Sequence, residues 1–112
     1  MKYKDGIILQ VKKVLNGIPI TIDIAEEILV AMDMADVASK KVSGKEMVIT
    51  SVLDGIHSKN SLHYVGRAFD IRVWIYTEYQ IKMLMLELKK VLGNGYDILF
   101  EEDHIHIEFD PK

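Results

Sequence analysis

Apolar and polar positions along this chain change period several times, and each change marks an element. Between Thr21 and Val42, the residues Ile24, Ile28, Ala31, Ala35 and Ala38 recur at helical spacing. Thr21 or Asp23 can cap the start of this helix, and Lys40 and Lys41 suit the negative end of its dipole. A second stripe, Ile81, Leu84, Met85 and Leu88, predicts a helix that Thr77 caps and Gly93 or Gly95 ends. Met32, Met34, Met83 and Met85 belong to these helices as core or fringe packing. Segments 47–53 and 67–75 carry β-branched residues and alternate, so both read as strands. In the second, Ala68, Asp70 and Arg72 share one face, and Phe69, Ile71 and Val73 the other.

Residues 96–101 and 104–109 predict the last two strands, with Glu102 and Asp103 near a tight turn. Residues 6–14 fit either a short strand or one or two helical turns, broken by Gly17 and Pro19. A loop of about a dozen residues, from Asp54 to Gly66, joins the two middle strands. Loops of that length tend to carry function. Two main helices mixed with four or five short strands predict an α+β fold with a small antiparallel sheet. At 112 residues the chain is expected to form a single domain, 1–112.

Composition narrows the chemistry. The chain has no cysteine, so disulfides and thiolate metal sites are excluded, and a transition metal must be held by imidazole and carboxylate. The net charge of −3 argues against a sequence-independent grip on nucleic acid. No apolar run approaches the length of a membrane span. Charges flank the short apolar run near the N-terminus on both sides, which is not a secretory pattern; the chain is expected to be made in the cytosol, as a monomer.

Four residues stand out against this background. His63 closes the long loop and Asp70 lies in the strand after it. His104 and His106 fall in the final strand, on the face opposite Ile105, Ile107 and Phe109. Two histidines in succession on one face are costly unless solvated or ligated. Two imidazoles and a carboxylate with an open fourth position make a catalytic zinc site.

The stretch 56–71, IHSKNSLHYVGRAFDI, resembles the zinc motif S-x-H-x-x-G-x-A-x-D of the Hedgehog / D-Ala-D-Ala peptidase superfamily, with Ser61, His63, Gly66, Ala68 and Asp70 in place. Residues 92–109, LGNGYDILFEEDHIHIEF, are similar to the second half of that signature: a glycine-ended helix, an aromatic strand, acidic residues and H-x-H. The wording of the first motif is closest to the Hedgehog signalling domain. The resemblance spans roughly residues 47–110 and implies a Hedgehog/DD-peptidase-like fold. It also implies Zn2+ held by His63, Asp70 and His106, with water as the fourth ligand.

The implied activity is that of a zinc metallopeptidase hydrolysing amide bonds in peptidoglycan peptides, as an endopeptidase or a carboxypeptidase. A phage or bacterial cell-wall lytic enzyme, acting after release or export, fits a chain of this kind. The base is open at this stage: Glu102 and Asp103 rank together, Glu101 stands three residues before His104, and His104 is a transition-state donor or second base. Ser61 is a candidate substrate contact or a loop hydrogen-bonder. Arg67 is a candidate for a substrate carboxylate, although its parity favours a surface salt bridge. Many peptidases of the superfamily place a carboxylate-binding arginine before the metal loop; Asp54 stands there here, which favours an endopeptidase. Two rival expectations remain: a non-catalytic Hedgehog-like protein-binding module, and a structural zinc site that recruits His104 or His57 as fourth ligand.

Overall fold

The computed structural model describes residues 1–4, 10–15, 18–23, 26–52 and 68–110. Its elements run β1 (Lys2–Tyr3), β2 (Gln10–Leu15), β3 (Ile18–Asp23), α1 (Glu26–Ser43), β4 (Val48–Val52), β5 (Ala68–Arg72), α2 (Glu78–Leu92), β6 (Tyr96–Glu101) and β7 (His104–Phe109). Five strands form one sheet in the order β1-β4-β5-β7-β6, and β2 and β3 form a separate hairpin. The fold is a small α+β fold with two helices and a mixed sheet.

Three details differ from the pattern-based expectation, and one open choice is decided. The sheet is mixed because β1 runs parallel to β4, pairing Lys2 with Val48 and Tyr3 with Ile49. A two-residue strand carries no periodicity, so nothing in the sequence announces it. The N-terminal helix begins at Glu26 rather than at a cap on Thr21 or Asp23. Those two residues lie in β3, opposite Lys12 and Gln10. The β-branched run Ile18, Ile20, Thr21, Ile22 prefers a pleated strand, and cross-strand pairing decides the ambiguity. Residues 10–15 are accordingly a strand, not helical turns. Finally, β5 stops at Arg72, and Tyr76 N–H donates to the Val73 carbonyl (3.0 Å) to turn the chain into α2.

The second helix forms as its sequence dictates. Gln80 N–H donates to Thr77 Oγ1 (3.1 Å), and Thr77 N–H donates to Gln80 Oε1 (2.9 Å), closing a capping box. Gly93, at φ +77°, ends it with a bond from its N–H to the Lys89 carbonyl (3.2 Å). Both helices cover one face of the sheet. Ile28, Ala31, Met32, Ala35, Leu84 and Leu88 meet Ile49, Phe69, Ile71, Ile98, Ile105 and Ile107 in a single buried cluster. Each large apolar side chain there contributes roughly 1.5–3 kcal/mol by leaving water. Phe109 is half-buried at the margin of the cluster, its ring 5.1 Å from that of Tyr96. Among the described residues, no helix is long and apolar enough to cross a membrane.

One buried charge ties α1 to β4. Asp36, only 7% exposed, accepts from Met47 N–H (3.0 Å) and pairs with Lys40 (2.9 Å) and the Met1 amino group (3.2 Å). Burial pushes its carboxyl upward, but the Met47 N–H, Lys40 and the amino group outweigh that and hold it below the ordinary value. A lowered folded pKa stabilises the fold above the unfolded value of about 3.9, and the contribution is lost as pH falls through the folded value. Asp36→Asn is expected to cost about 1–2 kcal/mol at pH 7, with the deficit shrinking below about pH 4. Urea unfolding of both proteins at pH 7 and pH 3 checks this. An equal deficit at the two pH values would assign the tie to shape rather than charge.

Candidate metal centre

The face of the sheet away from the helices carries the polar residues. Register fixes their neighbours. Asp70 on β5 stands opposite Ser51 on one side and His106 on the other, and His106 stands opposite Leu99. One row along, Arg72 faces His104 and His104 faces Glu101. In the other direction, Ala68 faces Glu108 and Glu108 faces Asp97. Period-two alternation does the sorting: Phe69, Ile71, Ile105 and Ile107 enter the core, which forces Asp70, His104, His106 and Glu108 to the other side.

The closest contact on this face joins Asp70 and His106. Asp70 Oδ1 lies 2.7 Å from His106 Nδ1, and Glu108 Oε1 lies 3.2 Å from Nε2 of the same ring. His106 is 8% exposed. Burial lowers the pKa of its imidazole, and the hydrogen bonds to Asp70 and Glu108 more than reverse this, so the net direction is upward. Each ring nitrogen lies within hydrogen-bond reach of a carboxylate. The Nδ1–Asp70 edge is where a cation would replace a proton. Two ligand atoms on a tetrahedral zinc sit roughly 3.3 Å apart, so a small side-chain rotation brings this pair to bonding separation. Glu108 then holds the far nitrogen, as carboxylates outside the ligand set commonly do for metal-bound histidine.

His104 forms a second unit. Its Nδ1 is 2.6 Å from Asp103 Oδ1, while Nε2 lies 3.7 Å from both Asp70 Oδ2 and Glu101 Oε2. The latter separations exceed a hydrogen bond, so one nitrogen is anchored and the other points along the face toward Asp70. Burial lowers this imidazole's pKa, and Asp103, Asp70 and Glu101 together raise it further than burial lowers it. The His104 contact holds the exposed Asp103 carboxyl below its ordinary value. An imidazole with one nitrogen fixed by a carboxylate can carry out general acid–base chemistry through the other.

The structure thus brings together Asp70, His106, His104 and Asp103 from the residues singled out in the sequence. Glu102 lies exposed in the β6–β7 turn and makes no hydrogen bond or ion pair among the described residues. His57, Ser61, His63, Gly66 and Arg67 lie outside the described residues, as does Asp54. Two neighbours were undervalued by sequence reasoning. Glu108 shares the histidine face by strand parity, and its contact with His106 Nε2 is what the sequence does not reveal. Glu101, noted only by its spacing from His104, directly opposes that residue across the hairpin. A two-residue turn between β6 and β7 pairs the last residue of one strand with the first of the next, and that signal was available.

No protein-family model matches the chain, and no curated protein matches it either. The likeness of residues 56–71 and 92–109 to the peptidase superfamily rests on the residues themselves.

Among the described residues, Asp97, Glu108 and Asp110 also gather, with ligand atoms all within 4.8 Å of one another. This group is all carboxylate and half-buried, and it adjoins the Asp70–His106 pair through Glu108. Its donor set suits a hard cation better than zinc.

Proposed function

We propose that this chain is a zinc-dependent peptidase that hydrolyses amide bonds in peptidoglycan peptides, as a phage or bacterial cell-wall lytic enzyme. The observation that carries the reading is the Asp70–His106 contact at 2.7 Å, with the Asp103-anchored His104 beside it on the same open face. Asp70 and His106 would hold the ion, and His63, which the sequence motif supplies, would be the third ligand. When bound, zinc acts as a Lewis acid and brings the pKa of a bound water near 7.

The remaining work falls to side chains of this chain. Glu108 fixes the orientation of the His106 ring through Nε2. His104 Nε2 accepts a proton from the attacking water and passes it to the leaving amine. Asp103 holds the opposite nitrogen and stabilises the charge that His104 carries between those two transfers. Asp70 serves both units, since its two oxygens face different histidines.

The test is direct. Zinc-loaded protein incubated with purified peptidoglycan is expected to release fragments with new amine and carboxyl termini, read by mass spectrometry, and a chelator is expected to stop the release. Fully loaded protein that produces no new terminus would overturn the proposal in favour of a zinc-containing binding module.

A further inference from the structure

The described part of the open face carries one cation that the proposed chemistry does not use. Arg72 follows Asp70 on the same side of β5 and stands directly opposite His104. Its guanidinium lies 4.5 Å from the centre of the Trp74 ring. Stacking on an indole holds a guanidinium in place while leaving its edge N–H groups open. Trp74 is itself 72% exposed, an unusual setting for an indole on a small domain.

The nearby carboxylates are engaged elsewhere. Asp70 contacts His106, and Asp103 contacts His104. Glu101 lies across the hairpin with its carboxylate toward His104 Nε2. Arg72 makes no ion pair among the described residues. A half-buried guanidinium ordinarily has an anionic partner. One that instead lies over an aromatic ring, next to a candidate reaction site, is preorganised for an anion from outside.

We infer that Arg72, stacked on Trp74, is a substrate-binding residue that receives a peptide carboxylate; the inference rests on the peptidase reading for its substrate class. Guanidinium matches carboxylate in a two-bonded fork, which fixes direction as well as charge. Alternate residues on a strand face are roughly 7 Å apart, and an extended peptide advances about 3.4 Å per residue. The carboxylate that reaches Arg72 therefore lies about two residues from the amide held at Asp70 and His106, or on a side chain nearer to it. Stem peptides offer two such groups, the free carboxylate of the D-glutamyl residue and the chain terminus.

Trp74 is the chain's single tryptophan, so its fluorescence reports directly on the stacked pair. The probe is the stem tetrapeptide L-Ala-γ-D-Glu-L-Lys-D-Ala with both carboxylates free, compared with the same peptide carrying two carboxamides. Each is titrated into zinc-loaded protein. The free acid is expected to bind about 10- to 100-fold more tightly and to shift the tryptophan emission. Arg72→Gln is expected to collapse that difference to within about 3-fold, and Arg72→Lys to keep only part of it, because ammonium lacks the fork. Zinc content and far-UV circular dichroism of the variants establish that fold and metal are intact.

Equal affinity for acid and amide in the parent protein would overturn the inference, as would a difference that survives in Arg72→Gln or failure of both peptides to bind. Discrimination through Arg72 without cleavage would sustain the inference and sink the hydrolase reading. Cleavage without discrimination would do the reverse.

Discussion

Asp70→Ala is expected to abolish zinc binding and peptide hydrolysis together. Among the described residues, Asp70 is the one whose carboxylate lies near both histidines, with Oδ1 2.7 Å from His106 and Oδ2 3.7 Å from His104. Removing its carboxylate takes away one proposed metal ligand and the negative charge beside the other. Loss of a partner outside the ligand set already weakens metal binding by about 10- to 100-fold, so loss of a ligand is expected to exceed about 100-fold. The zinc-dependent rise in melting temperature, which follows mass action, should vanish with it.

The fold should survive the change. Asp70 lies at the half-exposed face of β5, while the neighbours that hold the strand, Phe69 and Ile71, stay in the core. Asp70→Asn, which keeps the shape and drops the charge, is the companion variant and should also lose zinc. Metal analysis of the purified proteins and calorimetric titration with zinc decide the matter. Stoichiometric zinc in either variant, at parental affinity, would remove Asp70 from the metal centre.

His104→Ala is expected to do something different: zinc is retained and turnover falls by roughly 10²–10⁴. The reason is geometric. Its Nδ1 is committed to Asp103 at 2.6 Å, and Nε2 stands too far from Asp70 and Glu101 for a hydrogen bond, so it is placed to exchange protons with substrate and water. Asp103→Asn should give a smaller loss, because the ring keeps a neighbour but loses the charge that supports its protonated form. Glu102→Gln is the discriminating companion. Steady-state kinetics on a released stem peptide, with zinc content measured on the same samples, separates the outcomes. A greater loss for Glu102→Gln than for His104→Ala would move the proton-transfer role into the turn.

Much of this site was legible from parity. The alternation of Ile105 and Ile107 with His104 and His106 tells which side chains face away from the core; burial follows it at Ile105, Ile107 and His104, whereas His106 is buried on its own face. The same holds for Phe69 and Ile71 against Asp70 and Arg72. What parity leaves open is which residues on one face touch. Asp70 meets His106, not His104, at hydrogen-bond distance because β5 and β7 are registered that way. Register between strands separated by a whole helix has no local signature. The choice among the acidic residues at 101–103 stays open in the sequence for a related reason. Spacing from a histidine treats them alike, whereas the hairpin sends Glu101 across to His104, bends Asp103 back onto His104 Nδ1, and leaves Glu102 in solvent.

The sequence by itself determined the two helices, the cap at Thr77, which faces of β5 and β7 are polar, and the donor types available to a metal. These are local matters, settled by periodicity of 3.6 or 2 and by the chemistry of single residues. Only the tertiary structure decided that Lys2–Tyr3 joins the sheet in parallel, that Thr21 and Asp23 belong to a hairpin, and that Arg72 rests on Trp74 while Glu108 braces His106. Each of those depends on a partner distant in the chain or on a choice between near-equal local conformations, and the free energy that settles such choices comes from packing and pairing across the sheet.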